Sequence, residues 1–283
     1  MCIRDREGYT VSHLSRKKGN DPRVKTFLWN VSKGIIDEQC LEGVEAIIHL
    51  AGAPIAEKRW TNKRKKELID SRTESIRLIY DLLKRRSNKV TRIISAAAIG
   101  YYGDRSDAWM TEESGPGEGF LPECCIAWEK AIDEGEALGL GIVKLRTGVV
   151  LDKMNGALPQ MAMPVKLFAG TPLGSGKQWV PWIHWLDAAS IYLFALKNDQ
   201  LKGVFNMTAP DPVTNKDLMK AIAHKLHRPL WPVNVPPFVF KMLMGEMSII
   251  VLGSTRVLAQ KIEDAGFKFQ FPDLRQALKN IYG

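Results

Sequence analysis

Two stretches of the chain run apolar and then stop on very small residues. Val44-Glu-Ala-Ile-Ile-His-Leu-Ala-Gly-Ala-Pro54 closes on Ala51, Gly52 and Ala53, and Arg92-Ile-Ile-Ser-Ala-Ala-Ala-Ile-Gly-Tyr-Tyr-Gly-Asp104 closes on Ser95 to Ala98. A short, non-alternating apolar run bounded by turn residues is the pattern of a parallel strand buried on both faces. Small residues at its C-terminal end let a flat ligand approach the backbone, and open α/β sheets bind ligands in that crevice. The two runs therefore point to an α/β fold with a doubly wound parallel sheet.

The rest of the chain extends this pattern. A strand from Val24 to Trp29, helical turns around Ile35 to Leu41, a long helix from Thr61 to Arg86 and a helix from Leu121 to Leu138 alternate with the two runs and with a strand from Ile142 to Leu151. Such βαβα alternation implies right-handed crossovers and a parallel sheet. Beyond Gly156 the chain is punctuated by Gly, Pro and Trp. Asp187 reads as the N-cap of an apolar helix, Gly203 to Met207 as a strand, and Thr214-x-x-Asp217 as a capping box. Helices are expected at Phe238 to Met247, Ser254 to Ala265 and Pro272 to Ile281. The expected division is a Rossmann-like, NAD(P)-binding core over 7–155, an interleaved substrate-side lobe over 156–235 and a small helical domain over 236–283.

A Rossmann-like fold opens with a strand, a glycine-rich turn and a helix that holds the pyrophosphate. No G-x-G-x-x-G or G-x-x-G-x-x-G precedes Glu7 to Arg16, which reads as a helix tail, a turn at Gly8 and a strand from Tyr9 to Leu14. The expectation from the sequence is a truncated core lacking its first strand and glycine loop, with residues 1–6 foreign to the fold. Poor solubility and weak dinucleotide binding would follow.

Bulk properties narrow the function classes. Of 283 residues, 45% are hydrophobic and 25% charged, the balance of a soluble globular protein. No run of eighteen apolar residues exists and no signal-peptide core is visible, so a cytoplasmic protein without a membrane partner is expected. Cys2, Cys40, Cys124 and Cys125 fit no metal or disulfide spacing, and no metal site is expected. The net charge of +9 gathers at Arg16 to Lys18, Lys63 to Lys66 and Lys84 to Arg86. The last two clusters flank an apolar helical stripe and lack interleaved aromatics, so they read as solvated helix faces rather than a nucleic-acid surface. A small molecule is the expected partner, and the oligomeric state stays open.

Several motifs stand in order along the chain: Ile47-Ile-His-Leu-Ala-Gly-Ala-Pro-Ile55, Lys58-Arg-Trp-Thr61, Ser71-Arg72, Ile94 to Gly103, Trp128-Glu129, Leu145 to Leu151, Gly174 to Trp179, Trp182-Ile-His184 and Ala265 to Phe269. Together they resemble the epimerase family proteins, a branch of the atypical, extended short-chain dehydrogenase/reductase superfamily, over about residues 7–283. The resemblance implies an NAD(P)-binding Rossmann core, a C-terminal domain of unknown function and an oxidoreductase or epimerase activity.

Candidate site residues follow. Arg16 comes after the second strand, where an arginine suits a 2′-phosphate and an acidic residue would suit a ribose hydroxyl. With no Asp or Glu from Ser12 to Lys18, NADP(H) is favoured over NAD(H), although an exposed basic loop explains Arg16 equally well. Ala51, Gly52 and Ala53 would face the adenosine side and Ser95, Ala96 and Ala97 the nicotinamide side, with Leu50, Thr147 and Gly148 as further cofactor-binding candidates. The superfamily's acid/base pair is Tyr and Lys in Y-x-x-x-K, but the matching helix carries Leu121 and Cys125. The one Y-x-x-x-K match, Tyr80 to Lys84, reads as a remote surface pair. The catalytic candidates that remain are Ser95 and Tyr102, the latter a tyrosine with no cationic neighbour in view. Tyr101, Trp179, Trp182 and His184 would wall a substrate cleft, with packing of the second lobe as the other explanation. Two functions stay open: an NADP(H)-binding oxidoreductase or epimerase for a small molecule, and a dinucleotide-binding or sensing module without turnover.

Overall fold

The computed structural model describes residues 8–19, 21 and 23–283. Four strands form the central parallel sheet: β4 (Ala46–His49), β5 (Arg92–Ala98), β7 (Gly141–Thr147) and β11 (Gly203–Met207), in the order β11-β7-β5-β4. A second sheet holds β1 (Ser12–Ser15), β2 (Lys25–Asn30) and β3 (Ile35–Ile36), with β1 and β2 parallel. β1 and β4 do not pair with each other, and among the described residues no strand lies on the free edge of either. Ile48 and Leu50 beside that edge are exposed.

Residues of alternate parity bury the two faces of the central sheet. Ile93 packs with Ile76, Ile79, Tyr80, Trp128 and Ile132 from the helices Asn62–Arg85 and Phe120–Asp133. Its neighbour Ile94 packs on the other face with Val143, Leu145, Ile183 and Ile191 of the helix Trp185–Lys197. The long helix runs unbroken from its N-cap, where Thr61 accepts a hydrogen bond from the Arg64 amide. Its basic residues are largely paired: Arg64 with Glu57 and Glu67, Lys65 with Glu246, and Arg86 with Glu38. Tyr80 is not a surface residue. It is 2% exposed, donates to the Ile132 carbonyl and presses on Gly135, because its ring is needed to fill the groove between the two helices.

The expected strand from Ile142 to Leu151 is two strands. Gly148 marks the break, and a Cβ there would stand 2.6 Å from the Pro181 carbonyl and 2.9 Å from Thr208. Past this close approach β8 (Val149–Leu151) leaves the central sheet and pairs in parallel with β10 (Trp182–His184). The expected helix from Ser254 to Ala265 is shorter. The chain first makes β13 (Arg256–Val257), which pairs with β6 (Trp109–Met110), and only Gln260–Asp264 is helical. The Thr214 cap is present, its hydroxyl accepting from the Asp217 amide. Among the described residues no helix is long and apolar enough to cross a membrane, and no metal-ligating cluster occurs.

Candidate functional site

The C-terminal ends of β4, β5 and β7 lie side by side, since His49 is in register with Ser95 and Ala98 with Thr147. This brings Leu50 to Ala53, Ala96 to Tyr102, and Thr147 with Gly148 to one end of the sheet. Leu50 and Gly52 are exposed there, while Ala51, Ala96, Ala98 and Thr147 are half-buried. Arg16 is exposed just after β1.

The floor of this region is a buried polar cluster on β4 and β5. His49, 2% exposed, sits with Nδ1 3.0 Å from the Ser95 hydroxyl and Nε2 2.9 Å from the Ser75 hydroxyl. Burial, assisted by the nearby Arg72 charge, lowers the His49 pKa to about 4. The ring is neutral at physiological pH and carries one N–H, so one serine must donate to it. Each hydroxyl also lies within reach of a backbone carbonyl, Ser75 of Arg72 and Ser95 of Ala96. Ser95 is fully buried and joins β5 to β4 through His49.

A second polar column stands beside Tyr102. Arg146 makes a bidentate pair with Glu129 at 2.7 and 2.9 Å, and its Nη1 donates to the Tyr102 hydroxyl at 3.0 Å. That hydroxyl donates to Asn206 Oδ1 at 2.7 Å. Asn206 is held in turn by Glu112 and the Leu258 carbonyl. The Arg146 guanidinium lies 3.5 Å from the Tyr101 ring centroid. Burial opposes the Arg146 charge, but Glu129 and Tyr102 outweigh it and hold the group above its ordinary pKa. Tyr102 therefore does have a cationic neighbour, one the sequence conceals because Arg146 sits forty-four positions away. Burial still raises the Tyr102 phenol pKa despite Arg146. The Tyr102 side chain is fully buried, whereas Tyr101 is partly open.

The expected aromatic wall does not form as one surface. Trp182 is fully buried, its indole N–H donating to the Asp211 carbonyl, because β10 is covered on both faces. His184, also fully buried, caps the helix Trp185–Lys197: its Nδ1 accepts from the Leu186 amide, and its ring stacks on Phe271 at 3.9 Å. His184 thus takes the N-cap role expected of Asp187. The Asp187 carboxylate instead accepts the Gln270 and Phe271 amides at 2.8 and 3.0 Å, clasping the C-terminal segment to this helix. Trp179 is half-buried, bonded to Asp107 and stacked on Arg256. An open cleft of about 490 Å³ lies instead against Asp104, Ser175, Lys241, Glu246 and Ser248. Asp104 and Ser175 fall inside stretches the sequence singled out, but their meeting with Lys241, Glu246 and Ser248 was not legible, since the lining comes from three separate stretches of chain.

Comparison with known proteins gives the architecture a family. Residues 235–281 match a domain of unknown function, DUF1731. The epimerase family protein YfhF of Bacillus subtilis (strain 168) is 37% identical over 278 residues, which cover 98% of this chain and 91% of that protein. The chain is an epimerase family protein. A chloroplastic member from Arabidopsis thaliana, the epimerase family protein SDR39U1 homolog, is 37% identical over 250 residues, covering 86% of this chain and 70% of its own. The crystal structure of human epimerase family protein SDR39U1 (isoform 2) with NADPH superimposes with a TM-score of 0.85 at 28% identity, covering 98% of this chain and 92% of the human one. The family and the Rossmann-like α/β fold expected from the ordered motifs are therefore the ones found.

Proposed function

We propose that this chain is an NADP(H)-binding oxidoreductase- or epimerase-like protein acting on a small molecule. The observation that carries the reading is the convergence of three small-residue strand ends, Leu50 to Gly52, Ala96 to Ala98 and Thr147 with Gly148, at the C-terminal edge of a parallel sheet. The half-open backbone there fits a flat cofactor, and the human relative's structure was determined with NADPH. In this reading Leu50, Ala51 and Gly52 hold the adenosine side, and Ala96, Thr147 and Gly148 flank the nicotinamide side. The bound nucleotide would supply or accept hydride. Arg16 would take the 2′-phosphate, an assignment for which its exposed place after β1 leaves room.

Ser95 and Tyr102 serve this site as positioning residues rather than proton donors to a ligand. Both are fully buried, Ser95 tied to His49 and Tyr102 to Arg146 and Asn206. The same burial favours a second reading, a dinucleotide-binding module without turnover. On the helix facing the Gly100 turn, Leu121 cannot titrate, and burial drives the Cys125 thiol far above its ordinary range. Incubating the chain with NADPH and a metabolite panel separates the two. Oxidation of NADPH with any member, or conversion of a member into its stereoisomer with no net change in the nucleotide, supports the enzyme, and saturable binding with neither supports the module.

For cofactor choice, the wild-type chain is expected to bind NADPH more tightly than NADH. Arg16→Ala should erase that difference, worth about 1–3 kcal/mol for a charge-assisted contact. Parallel fluorescence titrations with the two nucleotides measure it, and equal affinities in the wild type would remove Arg16 from the site.

A further inference from the structure

β6 and β13 make a two-stranded ribbon whose two faces differ in kind. Met110 and Val257, in register, pack one face against Tyr102 at the end of β5. Trp109 and Arg256 are the other registered pair, and they point to the opposite face because successive side chains of a strand alternate. There the Arg256 guanidinium lies 3.8 Å from the Trp109 ring centroid and 4.0 Å from that of Trp179, so it is held between two indoles. The segments that build this stack are tied together: the Ser254 hydroxyl donates to the Ser106 carbonyl and accepts the Trp179 amide at 3.1 Å.

Stacking leaves the edge of the guanidinium unused. Its five N–H donors lie in its plane, and rings against its faces take none of them. Arg92, Arg105 and Arg146 each commit donors to a carboxylate or to backbone carbonyls. Arg256 has no side-chain hydrogen bond and no ion pair with any described residue, and its Nε–H is buried without an acceptor. Asp107, two residues before Trp109, instead accepts the Trp179 indole N–H at 2.8 Å. Arg256 is only half-buried and Trp109 is 43% exposed, so the unbonded Nη end of the fork can be reached from solvent. A buried donor without an acceptor is a standing cost, and the Nε–H and Nη–H fork matches two oxygens of a carboxylate or phosphate.

We propose that Arg256, held between Trp109 and Trp179, is an oxyanion-binding site that takes the phosphate or carboxylate of a small molecule. It lies across the ribbon from Tyr102, apart from the strand-end platform assigned to the dinucleotide, and it does not depend on that assignment. Arg256 falls within residues 235–281, so the site gives the domain of unknown function a part in ligand binding.

The test uses the full chain with inorganic phosphate and malonate as probes, followed through the Arg256 Nε–H and Trp179 indole N–H resonances. A saturable shift of both with either probe is expected. Arg256→Met keeps a flexible side chain between the indoles but offers no donor. It should bind the probe about 10–100-fold more weakly, read from the Trp179 resonance that every variant retains. Arg256→Lys should lose less, keeping the charge but not the fork. Unchanged probe affinity in Arg256→Met overturns the proposal, and a lower melting temperature with that unchanged affinity marks the stack as packing alone. Should Arg256→Met not fold, the wild-type resonances still decide: a saturable shift supports the proposal, and no shift refutes it. The titration is then repeated with millimolar NADPH present. Unchanged probe affinity at Arg256 supports a separate site, and competitive loss of it refutes one. A chain that binds the probe at Arg256 but never NADPH would refute the dinucleotide reading and leave this proposal standing.

Discussion

Glu129→Ala is expected to destabilise the fold by about 3–5 kcal/mol, among the largest single-residue effects in the molecule. Glu129 is 6% exposed and Arg146 3%, so removing the carboxylate strands a guanidinium in the interior with the Tyr102 hydroxyl and the Tyr101 ring face, but no anion, against it. Lys144 aggravates the loss. It is 7% exposed, lies 3.9 Å from Glu129 and pairs at 2.7 Å with Asp133, which alone cannot balance two buried cations. The double replacement Glu129→Met with Arg146→Met leaves the Lys144–Asp133 pair balanced, and should recover most of the stability. Urea unfolding of the wild type, Glu129→Met, Arg146→Met and the double variant gives the cycle. A double variant as unstable as the sum of the singles would show that the pair is not a unit.

The second large effect depends on pH. His49 has a folded pKa of about 4 against the ordinary value of 6.5, so the unfolded chain takes up this proton first as pH falls. The neutral ring contributes its full stability above pH 6.5, and that contribution falls between pH 6.5 and 4. By linkage the loss is about 2 kcal/mol at pH 5 and ~3 kcal/mol below pH 4. His49→Gln removes the titration while keeping a polar group between Ser75 and Ser95. Unfolding free energies from pH 8 to 4.5 should therefore converge, the wild type losing more than the variant on acidification. Parallel curves would place the His49 pKa near its ordinary value and contradict the buried neutral ring.

What the sequence made legible was mostly what periodicity and turn chemistry report. The apolar runs ending at Ala51 and Ala98 are β4 and β5, and the Thr61 and Thr214 caps start helices where expected. The family was legible because many short motifs keep their order. Three features were hidden because they depend on distant partners. Trp182 and His184 look like an exposed aromatic wall until β8 turns out of the main sheet at Gly148 and covers them. Asp187 has the sequence context of a helix cap, yet its carboxylate is taken by amides eighty-three and eighty-four residues later. Arg72 enters the sequence reading only as part of the Ser71-Arg72 motif, and the contact with Gly52 is what places it beside the Ala51 to Ala53 turn.

The same distinction governs the candidate site. Its backbone could be read from small residues at strand ends, whereas the burial of Ser95 and Tyr102 follows from His49, Arg146 and Asn206 converging on them. The site is thus a polar-backed platform whose open surface is mostly backbone and small side chains.

The central claim is that this platform is where a nicotinamide dinucleotide binds. Backbone amide shift mapping of the full chain with millimolar NADPH tests it directly, because fast exchange reveals a site even when affinity is low. The expected result is saturable shifts at Leu50 to Ala53, Ala96 to Tyr102, and Thr147 with Gly148. Shifts confined to other surfaces, or none that saturate, would contradict the account.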